Sequence, residues 1–249
     1  MGLLNMSTLM LQLGGAWPLE EGESKPKKIF YKMYGNFLII SFVVFNVFLS
    51  LGFIRLILKK ESFGRLSNSL SVLITLLLMI LNITIFNQKK VAYLCQDIKI
   101  YEKNYLLNAK DPEISVIYEA ILKKSKILNT FTLVTSFFGT LSLIGVSLLW
   151  VHNAGSNFWE SDAPFMFELY VPFDRQKYYG LVIIANIFIA CLGTIFYIAV
   201  QTTFYGLFMY GNLRFQILQL KFKKFSTYNE EDSFEGLKML KTEHYDAIK

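Results

Sequence analysis

The histidines and cysteines of this chain, His152, His244, Cys95 and Cys191, are its natural candidates for metal or nucleophilic chemistry, and their spacing offers neither. Neither histidine has metal-ligand spacing to another His or Cys, no glycine-rich loop is placed to cradle a phosphate, and no nucleophile has a base at motif distance. The expectation is a protein that is not an enzyme and needs no cofactor. What the chain does carry is Ser, Thr and Asn scattered among aromatic and aliphatic residues. That mixture suits a small apolar ligand held by burial plus one or two polar contacts. The same residues also serve as glue between membrane helices.

The elements that must position such residues are membrane spans. Of the 249 residues, 53% are hydrophobic and only 18% charged, which places the chain above the ordinary soluble range. The apolar residues collect into four uncharged windows: Met33 to Ile54, Leu66 to Gln88, Ile127 to Trp159 and Tyr178 to Leu213. Each exceeds the roughly 20 residues that a helix needs to cross about 30 Å of hydrocarbon. Four isolated spans have to satisfy their backbone groups internally, so they are helices and not strands. The fold class is an all-α membrane protein with spans at about 35–57, 66–87, 129–151 and 179–203. These make a bundle over 35–210, between an N-terminal segment 1–34 and a tail 211–249.

Charge sets the expected orientation. Nineteen Lys and Arg fall before span 1, between spans 2 and 3, and after span 4, against five on the opposite side and Arg55 at the end of a span. Positive charge stays preferentially in the cytoplasm, so the N-terminus is expected to be cytoplasmic. That orientation opposes a G-protein-coupled receptor, whose N-terminus lies outside. The basic residues follow topology and do not cluster on a soluble domain, so no nucleic-acid partner is expected. Cys95, assigned to a loop, and Cys191 are read as packing residues and not as a disulfide.

Two spans extend beyond the membrane. "DPEISVIYEAILKKSKIL" opens with Asp111 as an N-cap, Pro112 at the first helical position and Glu113 near the positive helix end. Its Ile114, Ile117 and Ile121 form a stripe that requires an apolar partner. The fourth window is too long for a bilayer and continues as a cytoplasmic helix with a second stripe, Leu213, Ile217 and Leu220. Lys221, Lys223 and Lys224 on that helix are placed to meet either anionic membrane lipid or the surface of a partner protein.

A cytoplasmic N-terminus, a long second connection, Pro172, Phe173 and Asp174 ahead of span 4, a long fourth helix and the tail "LKTEHYDAIK" together resemble the insect odorant receptor family. Members of that family have seven spans, so the resemblance implies the N-terminal four-span portion, with the last three spans absent. It further implies a subunit that binds a small volatile hydrophobic ligand and joins a co-receptor in an odorant-gated cation channel. The expected location is the plasma membrane of an olfactory sensory neuron dendrite. With the pore-lining seventh helix absent, this portion should not conduct alone.

The family's pocket lies in the outer half of the bundle, formed by helices two, three and four with a later helix. By depth and helical spacing, this implies Leu70, Leu73 and Ile74 in span 2, Ser142, Gly145 and Leu149 in span 3, and Tyr179, Ile183 and Ile187 in span 4. Gly145 would make room, Ser142 or Tyr179 would offer a hydroxyl, and the aliphatic residues would bury ligand surface at about 25 cal/mol per Å². A gustatory receptor of the same superfamily and a non-receptor four-span scaffold are the other readings of the residues.

Overall fold

A computed structural model describes residues 2–17, 24–86, 88–106, 111–154, 166–172 and 177–225. The helices are α1 (Asn5–Leu13), α2 (Lys25–Leu58), α3 (Phe63–Phe86), α4 (Lys89–Tyr101), α5 (Pro112–Ala154) and α6 (Tyr179–Phe225), with a π-helical turn at Glu102–Leu106 after α4. Four of them, α2, α3, α5 and α6, are long and apolar enough to cross a membrane. Among the described residues the architecture is therefore all-α, with four helices fit to cross a membrane, as the sequence predicts.

Helix α2 begins about ten residues earlier than the 35–57 span. Pro26 sits in its first turn, where a missing N–H removes no helical bond, and Lys25, Lys27 and Lys28 have long stems that favour helix. Helix α2 then hands over to α3 through Lys60, whose φ of 54° is left-handed. The Glu61 N–H donates to the Leu56 carbonyl at 3.2 Å and the Lys60 N–H to the Ile57 carbonyl at 3.0 Å, closing the last turn of α2 as a Schellman motif does.

Helix α5, with 43 residues, and α6, with 47, would rise about 65 and 70 Å, so both run past a bilayer. Asp111 caps α5: its side chain accepts the Glu113 N–H at 3.1 Å. The two apolar stripes read from the sequence are each other's partners. Ile114 and Ile121 of α5 are buried with Leu213 and Ile217 of α6, and Ile117 and Leu220 pack at the edge of the same cluster. Lys224 pins this end through an ion pair with Asp111 at 2.6 Å.

Two elements had no counterpart in the sequence reading. Helix α4 carries Cys95, which is therefore helical and buried, not in a loop, and burial pushes its thiol up to about 11. Cys191 is also a free thiol, exposed on α6. Helix α1 docks along α6, with Leu3, Leu4 and Leu11 fully buried. Its chain turns back at Gly15, whose φ is +68°, directly over Gly35 of α2. The Tyr31 and Tyr34 hydroxyls donate to the carbonyls of Gln12 and Leu13 at 3.0 and 2.7 Å, and Lys99 lies over the buried Trp17 ring at 5.3 Å. Residues 2–17 of the N-terminal segment are thus packed into the core.

Candidate ligand cleft

Helix α6 is the spine of the bundle. It packs against α5, α1, α3 and α2, with Phe196 of α6 meeting Phe42 of α2 edge to face at 5.4 Å, both fully buried. Helices α3 and α5 each lean on α6 and leave a cleft of about 370 Å³ between them, within the range of small-molecule sites. Leu76, Met79, Leu143 and Ile189 give it apolar walls, while Gly139 and Gly193 hold space by having no side chain.

Its polar groups are hydroxyls arranged in a repeated way. Thr75 donates to the Ser71 carbonyl at 2.8 Å, Thr140 to the Ser136 carbonyl at 2.9 Å and Thr194 to the Ala190 carbonyl at 2.8 Å. The Thr140 and Thr194 hydroxyls also meet across the cleft, where one gives its single proton to the other in place of its own carbonyl, joining α5 to α6. Hydroxyls committed in this way keep lone pairs free, so they can accept a hydrogen bond from a ligand O–H. Water-free walls would strengthen such a bond.

The segment Met166–Pro172, a strap between α5 and α6, lies across α2 and α3 and reaches the cleft. The Phe167 ring lines the cleft and meets Phe45 edge to face at 5.5 Å. The Tyr170 N–H donates to the Phe48 carbonyl at 3.0 Å. A Cβ on Gly52 would collide with the Glu168 carbonyl, so the strap can lie flat on α2 only at a glycine. The Glu168 carboxylate takes two bonds from Arg65, at 2.6 Å from Nε and 3.1 Å from Nη2, and Arg65 also pairs with Glu61 at 3.1 Å.

None of the nine residues named from the sequence is in the lining of this cleft. On α3, Leu70, Leu73 and Ile74 alternate with lining residues; Leu73 packs on the core while Leu70 and Ile74 are exposed. On α5, Ser142 and Leu149 are exposed and Gly145 faces open space. On α6, Tyr179 is exposed, and Ile183 and Ile187 are half-buried. The lining of α5 and α6 lies deeper, away from the strap. The sequence feature its three helices share is a small or hydroxyl residue followed by Thr four positions on, in Ser71–Thr75, Ser136–Thr140 and Ala190–Thr194, a spacing that Ala199–Thr203 repeats outside the cleft. Phe173, Asp174, His244 and the tail "LKTEHYDAIK" lie outside the described residues.

A comparison with curated proteins returns no match. The family model of the 7tm odorant receptor matches residues 62–242, which takes in α3 through α6, the strap and every wall of the cleft. The chain belongs to the odorant receptor family.

Proposed function

We propose that this chain is an odorant receptor subunit that holds a small, volatile, hydrophobic ligand in the cleft between α3, α5 and α6. It acts with a co-receptor in an odorant-gated cation channel at the plasma membrane of a sensory neuron, with the N-terminus and the lysine-rich end in the cytoplasm. The observation that carries this reading is a cleft of about 370 Å³ with apolar walls and a few tethered hydroxyls, inside a match to the odorant receptor family.

Burial of the ligand's carbon skeleton supplies most of the affinity, at about 25 cal/mol per Å². The Thr140–Thr194 pair orients its polar end. Leu70, Leu73, Ile74, Ser142, Gly145, Leu149, Tyr179, Ile183 and Ile187 form the outward approach to the same cleft. Binding biases gating only by as much as the ligand prefers one conformation of the assembly over the other.

The test is odorant-evoked current from the receptor co-expressed with a co-receptor. Gly139→Trp fills the cleft and is expected to abolish the response at unchanged surface level, and Gly145→Trp to reduce it by obstructing the approach. Full sensitivity in Gly139→Trp would overturn the reading.

A further inference from the structure

Among the described residues of the strap, Phe167 lines the cleft, and the Arg65–Glu168 pair helps to hold that strap down. Among the described lining residues Phe167 is the one outside a helix, and its neighbour Glu168 is bonded to Arg65, which puts it on the Arg65 side of the cleft. Its neighbours on the strap fix its height. The Glu168 carbonyl rests on Gly52, the Tyr170 N–H is bonded to Phe48, and Leu169 packs on the core. The Glu168 side chain is 12% exposed and its bond to Arg65 is bidentate, the geometry in which an ion pair both holds and orients.

We propose that Phe167 closes the strap end of the cleft and thereby sets the length of ligand admitted, and that Arg65 and Glu168 are positioning residues that keep Phe167 in place. This inference rests on the ligand reading of the cleft and adds its selectivity filter. A long unbranched ligand extends from the Thr140–Thr194 floor towards the strap and meets the Phe167 ring; a shorter one ends before it. Loosening the Arg65–Glu168 pair lets the ring leave, which lengthens the cleft and opens it to water from the strap side.

The experiment uses the full chain in lipid nanodiscs, with Cys191→Ser and a reporter Thr75→Cys on the cleft wall; Cys95 is buried and stays silent. A charged, membrane-impermeant methanethiosulfonate is added, and the rate of reporter modification is measured with and without 1-hexanol, 1-octanol or 1-decanol. Glu168→Gln is expected to raise the rate about tenfold, the scale set by losing a charge-assisted bond, and Phe167→Ala, which removes the ring itself, at least as much. In the double variant the rate should match that of Phe167→Ala alone, because Glu168 acts through Phe167. Arg65→Lys, which keeps the charge but loses the fork, should fall between. Both open variants should shift protection from 1-hexanol towards 1-decanol.

An unchanged rate in Glu168→Gln, a double variant whose effects multiply, or an unaltered preference for alcohol length would overturn the proposal. The two readings separate in this assay. Loss of protection by every alcohol, with the strap-dependent rates intact, removes the ligand reading and the selectivity that depends on it. Protection with no strap dependence removes the Phe167 filter alone.

Discussion

The carboxylate of Glu102 accepts the backbone N–H of Leu3 at 2.8 Å, tying the start of the chain to a residue 99 positions away in the π-helical turn. The same oxygen takes the Tyr118 hydroxyl at 3.3 Å, so the residues leading into α1, the turn after α4 and α5 meet on one buried acid. Burial raises the Glu102 carboxyl above its ordinary range, and the Leu3 and Tyr118 bonds only partly offset it.

A carboxyl raised in the folded state favours folding fully at pH below its ordinary value of 4.5, and that advantage is lost as pH rises through the higher folded value. Thermal unfolding of wild type and Glu102→Gln should therefore show a stability difference that moves against wild type with rising pH. A difference that is flat, or that moves the other way, would contradict the assignment. Glu102→Leu, which strands the Leu3 N–H and the Tyr118 hydroxyl, should cost about 1–3 kcal/mol at low pH, where the wild-type acid is neutral.

Gly15 and Gly35 touch backbone to backbone, and a Cβ on either would overlap the other. Gly35→Ala should destabilise the chain by about 1–3 kcal/mol by lifting α1 off α2, an overpacking cost that backbone cannot relieve as a side chain can. Gly211 of α6 has open space around it, so Gly211→Ala should be neutral or gain up to about 1 kcal/mol. Unfolding midpoints of the purified variants decide it; equal effects at both sites would refute the close approach.

Lys60 holds a left-handed conformation that costs a non-glycine residue about 1–2 kcal/mol. Lys60→Gly keeps the turn between α2 and α3 and should raise stability, by less than that amount because glycine also frees the unfolded chain. A drop in the unfolding midpoint would mean that the Lys60 side chain contributes more than its backbone loses.

The long periodic features were legible. Four apolar windows gave four membrane-crossing helices, and Ile114, Ile117 and Ile121 announced a partner that turned out to be Leu213, Ile217 and Leu220. Docking of α1 was not legible, because its burial depends on Glu102 and on a glycine contact that no local pattern reports. The strap was hidden for a similar reason: Glu168 reads as a solvated loop acid until Arg65, 103 positions away, is brought beside it. The cleft lay between these cases. Its Ser/Ala-to-Thr spacing was visible on three helices, but which face of each helix turned inward depended on α6 separating α3 from α5.

The central claim is that the cleft takes a small apolar ligand, and photolabelling with an aliphatic diazirine alcohol tests it most directly. The account predicts adducts on Thr75, Leu143, Tyr197 and neighbouring lining residues that 1-octanol suppresses saturably, and that Gly139→Trp removes. Labelling spread over the exposed faces of α2, α5 and α6, with no saturable adduct in the cleft, would contradict it.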